Sequence, residues 1–167
     1  MSELATLFVR QNEYANMALL DACRNLTDAQ LDATTDGVFG SIRDTWGHIV
    51  SSELYYASLL GQTVGSWDDE TEGWPGWDEM ADMIRRAADG LAIAATQPPE
   101  RLVRSSSGNW DIEAAVVIIQ AVHHGADHRS QINTLLSNQG LEPAEFSSWA
   151  WGEDTGKMHP LETDTES

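Results

Sequence analysis

Apolar side chains recur along this chain at intervals of three and four residues, the period of a helix with one buried face, and they do so in four long blocks. In the first block Leu4, Leu7/Phe8, Tyr14/Ala15, Ala18, Ala22 and Leu26 mark a helix from Ser2 to about Leu26, with Gln11 as a polar interruption of the inner stripe. Thr27-Asp28-Ala29-Gln30 has the capping-box pattern, Thr at the cap and Gln three residues on, and predicts a short helical turn before Thr34 to Gly40 breaks it. Ser41 suits the N-cap of a second long helix, Ile42 to Leu60, stopped by Gly61. Its inner stripe is Thr45, His48/Ile49, Ser52, Tyr56 and Leu59/Leu60. The third block, Trp77, Met80, Ile84, Ala87, Leu91 and Ala94, predicts a helix from about Trp77 to Gln97 that ends at Pro98-Pro99. The fourth spans Trp110 to Gln139 and is closed by Gly140, with Pro143 close behind.

Strict alternation, the mark of a strand, is nearly absent; only Leu102-Val103 in the polar connection Arg101 to Asn109 reads as extended. The expected fold is therefore all-α, a four-helix bundle with a short extra helical turn after helix one and a long loop between helices two and three. That loop, Gln62 to Gly76, carries Asp68-Asp69-Glu70, Trp67, Trp74 and Pro75, and loops of this length often rim a functional site. Residues 1–152 read as a single domain, and residues 153–167, with Glu153, Asp154, Glu162, Asp164 and Glu166, as an acidic tail expected to fray.

Composition narrows the class of partner. Among 167 residues, 27 acidic against 9 basic side chains give a formal net charge of −18, a surface that repels phosphate backbones and argues against nucleic acid. Disorder is excluded by 41% hydrophobic residues and seven tryptophans. With one cysteine, Cys23, no internal disulfide can form; the amino terminus lacks a basic segment followed by an apolar run, and no stretch is long enough to span a bilayer. A soluble cytoplasmic protein is expected.

Two histidines of the fourth helix are four residues apart. His124 and His128 then lie one above the other on a single face and can point two imidazoles at one ion. Such a pair is cheap: roughly one sequence in eight with this many histidines shows it by chance. Placement adds to it. Val117, Ala121, His124, His128 and Leu135 form one stripe, Gln131 is on the same face a turn past His128, and His48 points from helix two toward the bundle interior or its edge. Three imidazoles brought together without partners are costly to bury, whereas a divalent ion accepts a lone pair from each. Asp44, one turn before His48, is a candidate fourth ligand or a group that orients an imidazole, and reads equally well as a carboxylate of the helix N-terminus. His123 is displaced by about 100° around the helix and reads as a surface or subunit-contact residue. His159 in the tail is expected to be solvated. Trp46, Trp149 and Trp151 are read as core packing, or else as the apolar wall of a pocket.

Several blocks together resemble the DinB-like superfamily of four-helix-bundle metalloenzymes, over residues 4 to 151. Gln11-Asn12-Glu13-Tyr14-Ala15-Asn16 with Leu19-Leu20 resembles the first-helix signature, and Gly40-Ser41-Ile42-Arg43-Asp44-Thr45-Trp46-Gly47-His48-Ile49-Val50, with Glu53 and Leu60-Gly61 after it, the block around the first metal histidine. His124-x-x-x-His128-Arg129-x-Gln131 resembles the HxxxHRxQ element of the last helix, and Gly140-Leu141-x-Pro143 its exit. Asp127 and Ser130 stand where the family often has His and Gly. The resemblance implies His48, His124 and His128 as metal ligands, with water or substrate in the remaining positions. It also implies chemistry with a low-molecular-weight thiol such as mycothiol or bacillithiol, in S-transfer or isomerisation of maleylpyruvate.

The leading expectation is thus a thiol-dependent transferase or isomerase in which a three-histidine site, holding Zn, Ni, Fe or Mn, activates a low-molecular-weight thiol. In it the Trp67 to Trp77 loop, with Trp149 and Trp151, shapes the pocket for an electrophile. One alternative is a hydrolase using a metal-bound water, with Asp44 or Glu53 as base; another is a non-enzymatic protein whose ion ties helices two and four together. Cys23 has no activating neighbour in the sequence and is not a candidate nucleophile. The expected partners are a small-molecule substrate and a second copy of the chain in a homodimer, with neither nucleic acid nor membrane.

Overall fold

A computed structural model describes residues 2–68 and 71–159. Four long helices dominate it: α1 (Ser2–Cys23), α3 (Ile42–Leu59), α4 (Trp77–Ala95) and α5 (Ala114–Asn138). Two short helices, α2 (Asp28–Leu31) and α6 (Ser148–Asp154), and two short strands, β1 (Leu102–Arg104) and β2 (Asp111–Glu113), complete the described part. The long helices form a closed ring in which α1 and α3 each pack against both α4 and α5. Leu19, Leu20, Trp46, Ile49, Met80, Ile84, Leu91 and Ile132 fill the space between them. No described helix is long and apolar enough to cross a membrane.

The helix starts follow from local chemistry. Thr27 caps α2 and Ser41 caps α3, each in a complete capping box: the cap side chain accepts from the N3 amide, and the side chain of Gln30 or Asp44 accepts in return from the cap amide. Asp44 Oδ2 also accepts from the Ser41 hydroxyl at 2.7 Å. Along α3 the buried face is centred on Trp46, Ile49, Val50, Glu53 and Ala57. It is rotated from the stripe expected through Ser52 and Tyr56, and it leaves His48 on the flank, partly exposed toward α5.

Three boundaries differ from those expected by two residues or more. The first helix ends at Cys23 and the third at Ala95, each two or three residues early. The last long helix starts at Ala114 and not at Trp110, because residues 111–113 pair antiparallel with Leu102–Arg104, Val103 opposite Ile112. Arg104 grips Asp111 across that pair through two hydrogen bonds of 2.6 and 3.0 Å, and Ala114 N–H donates to Arg101 C=O, so the backbone groups ahead of α5 are satisfied by the hairpin. Past Gly140, Glu153 and Asp154 do not fray: they end α6, which Ser147 caps and which Tyr14 holds by donating its hydroxyl proton to Asp154. The domain limit expected at residue 152 falls inside this helix, whereas Glu162, Asp164 and Glu166 lie outside the described residues, as do Asp69 and Glu70 of the long loop.

Candidate metal centre

α3 and α5 are packed neighbours, and at one level of their contact three imidazoles meet. His48 comes from α3; His124 and His128 come from successive turns of α5. Ring centroids are 4.8 Å apart for His48 and His124, 4.8 Å for His48 and His128, and 4.5 Å for His124 and His128. The Nε2 atoms of His48 and His124 face each other at 3.0 Å, and one nitrogen from each of the three rings lies within 4.8 Å of the others. Two ligands on one tetrahedral ion with bonds of about 2.0–2.1 Å lie about 3.3–3.4 Å apart, so side-chain shifts of about an ångström close the set on a single ion.

Electrostatics favours the neutral, lone-pair-bearing form of His124. Burial first, and then the neighbouring His128 and His48, hold the His124 pKa down to about 4. The Nδ1 atoms of His124 and His128 are buried and have no hydrogen-bond partner among the described residues. A neutral imidazole carries one N–H and one lone pair, so the facing Nε2 atoms of His48 and His124 either share one proton or turn two lone pairs toward each other. An ion between the rings accepts such lone pairs, and a set of imidazole nitrogens suits a divalent transition metal. The residues present therefore fit a divalent metal.

Beside His48 opens a cleft of about 750 Å³ lined by Phe39, Arg43, Asp44, Gly47, Trp67, Gly73 and Trp74. Phe39 stacks on the His48 ring, with centroids 4.2 Å apart and planes 15° from parallel, and meets His128 edge-on at 5.3 Å. Arg43 lies over Trp74, 5.2 Å from the ring centroid, and is held there by Asp32 at 2.7 Å and Asp28 at 2.9 Å. Asp44 lines the same cleft with its carboxylate engaged in the cap. Gln131 Oε1 accepts from the backbone N–H of Phe39 at 2.9 Å, tying the connection before α3 to the histidine-bearing face of α5.

The family model for DinB matches residues 1–156. This chain belongs to the DinB family. The fold agrees with that of a solved DinB-like protein from Bacillus cereus ATCC 10987, with a TM-score of 0.64 at 16% identity over 83% of this chain and 94% of the other. No curated protein matches the chain.

What the sequence did not disclose in this DinB-family chain is a buried polar cluster beside the histidines. Glu53 is 0% exposed and accepts from Asn12 Nδ2 at 2.7 Å and from Asn16 Nδ2 at 2.9 and 3.1 Å. On their other side both asparagines accept from Arg129 Nη1, at 2.8 and 2.7 Å. Two amides thus relay between a buried carboxylate on α3 and a buried guanidinium on α5, each presenting its donor to the anion and its acceptor to the cation. Burial pushes Glu53 up and Arg129 down to about 10, while the asparagine donors and the opposite charge act against it. Gly125, next to His124, makes room for the cluster: a Cβ there would meet Arg129 Nη1 and Asn12 Oδ1 at 2.8 Å. The signal was present as Asn12, Asn16, Glu53 and Arg129, but residue types usually found on the surface carry no periodic mark of burial.

Glu53 is therefore committed to this cluster, without a solvent face. Trp46 is fully enclosed in the core. Trp149 and Trp151 sit on α6, which packs on α1; Trp149 is 74% exposed, and Lys157 covers Trp151 at 5.1 Å. Among the described residues the aromatic wall beside His48 is made by Phe39, Trp67 and Trp74. His123 is exposed and lies 3.4 Å from Asp127 one turn on, and His159 is exposed.

Proposed function

We propose that His48, His124 and His128 hold one divalent ion and that the protein uses it in thiol-dependent transfer or isomerisation on a small molecule seated in the adjacent cleft. The observation that carries this reading is the convergence of three imidazoles from two helices at the edge of an aromatic-lined cleft. When bound by three neutral ligands, such an ion keeps its full positive charge and deprotonates a coordinated thiol. The protein's own groups then have two tasks. His48, His124 and His128 supply lone pairs from a partly buried, low-dielectric position, and Phe39, Trp67 and Trp74 offer flat apolar surface to an electrophile next to the open side.

Thiol activation is favoured over hydrolysis by the state of the carboxylates. A hydrolase that relies on a general base needs a free carboxylate near the open coordination position. Glu53 is saturated by two asparagines and faces Arg129, and Asp44 Oδ2 already accepts from the Ser41 amide and hydroxyl. A thiol whose pKa is lowered by coordination would release its proton to solvent in the open cleft and needs neither. Cys23 stays outside this chemistry, since burial raises its thiol pKa to about 11. A cytoplasmic setting, where small thiols are kept reduced, completes the reading.

The test begins with metal content by elemental analysis for wild type and His124→Ala. The variant is expected to lose the ion while keeping its far-ultraviolet helicity. Wild-type protein loaded with Zn, Ni, Fe or Mn is then incubated with bacillithiol, mycothiol or glutathione and a chromogenic electrophile. Turnover that His124→Ala abolishes supports the proposal; a loaded protein inert with every thiol overturns it.

A further inference from the structure

One large apolar side chain is out of place for packing alone. Phe39 lies in the connection between α2 and α3 and is 52% exposed, yet its position is determined from two sides. Its backbone N–H is held by Gln131 on α5, three residues beyond His128. On the other side, Gly40 lies so close to the first turn of α3 that a Cβ would meet Asp44 Cβ at 3.0 Å, and the Ser41–Asp44 box fastens that turn. Both helices that carry the histidines thus hold the short segment bearing this ring. The ring lies parallel to one of the three imidazoles and edge-on to another, and it forms part of the cleft wall.

We infer that Phe39 is the closing wall of the three-histidine centre, setting the plane of the His48 ring and limiting the size of what reaches the ion, and that Gln131 is a positioning residue acting through the Phe39 amide. The role of the wall in ligand choice rests on the metal reading above; the latch itself does not. A phenyl ring stacked on His48 shields one face of that imidazole and restricts its rotation about χ2. The Gln131 oxygen supplies the acceptor that keeps the ring there, and its place a turn beyond His128 couples the wall to the helix that supplies the other two histidines.

The latch is read in the metal-free full chain by carbethoxylation with diethyl pyrocarbonate, mapped by mass spectrometry, with exposed His123 and His159 as internal references. Gln131→Ala is expected to raise the His48 rate relative to the references by roughly two- to tenfold, the range that loss of one hydrogen bond gives. Phe39→Ala should raise it at least as much, and Gln131→Glu, which keeps an acceptor oxygen, should leave His48 protected. Equal His48 rates in wild type and both alanine variants overturn the latch, and an increase with Phe39→Ala alone overturns the role of Gln131. A second arm uses cobalt-loaded protein and its visible bands, titrated with imidazole and with the bulkier benzimidazole. Wild type is expected to admit imidazole and discriminate against benzimidazole by tenfold or more, and Phe39→Ala to lose that discrimination. Equal discrimination in the two proteins overturns the size-limiting role. A wild type that takes up no cobalt overturns the metal reading and the wall's role in ligand choice, while the carbethoxylation ratios still decide the latch.

Discussion

His124 is a base kept from its proton by its surroundings. Its pKa in the folded chain is about 4 against an ordinary value of 6.5, with burial as the main cause. Between those two values the unfolded chain binds more protons than the folded one, so metal-free protein loses stability as pH falls through that window. The thermal midpoint of the metal-free protein is expected to drop from pH 7 to pH 4, and His124→Gln to flatten part of that slope; an unchanged slope would show that other groups cause it. Gly125 poses a contest of magnitudes. Alanine in a helix interior is better than glycine by about 1 kcal/mol, but the added methyl would sit 2.8 Å from Arg129 Nη1 and Asn12 Oδ1. Overpacking costs about 1–3 kcal/mol, and displaced hydrogen bonds add to it, so Gly125→Ala should lower the urea midpoint. At this scale the sequence disclosed the histidines because a four-residue separation has a direct geometric meaning. It disclosed neither the role of Gly125 nor that of Phe39, because a close approach and a ring stacked from a loop have no periodicity to read.

The helices are tied together by more than their apolar faces. Asn12 and Asn16 on α1, Glu53 on α3 and Arg129 on α5 form one cluster, so three helices share one set of buried hydrogen bonds. Removing one member leaves an opposite charge without its counterpart in the interior. Glu53→Ala is expected to destabilise the fold by about 3–5 kcal/mol, measured by equilibrium urea unfolding, and Glu53→Gln by less because the amide still accepts from the asparagines. A loss below about 1 kcal/mol for the alanine variant, the worth of one exposed pair, would mean that the cluster is relaxed by water. Element boundaries were legible where a cap marks them: Thr27 and Ser41 begin α2 and α3 as expected. They were illegible at the hairpin and α6. Three-residue strands are too short for alternation to register, and the apolar residues of α6 are tryptophans that also suit an irregular tail.

For the molecule as a whole, a charge of −18 on 167 residues sets the folded state against its own field. Screening by salt relieves exposed repulsions over about 8–10 Å, so the thermal midpoint should rise as sodium chloride is added from low ionic strength; a midpoint that falls would mean that surface ion pairs such as Arg43 with Asp28 and Asp32 outweigh the repulsion. The four-helix architecture was legible at this scale because its signal is summed over many turns, which local errors at helix ends do not erase. The asparagine-bridged cluster has one more consequence, for how this scaffold can change. It shares no residue with the segments that bring Phe39, Trp67 and Trp74 to the cleft. Substitutions at those three positions leave the Glu53–Arg129 cluster intact, so a combinatorial library confined to them would explore new ligands at a stability cost limited to the contacts of Trp67 and Trp74 with the core and of Trp74 with Arg43 and Trp77.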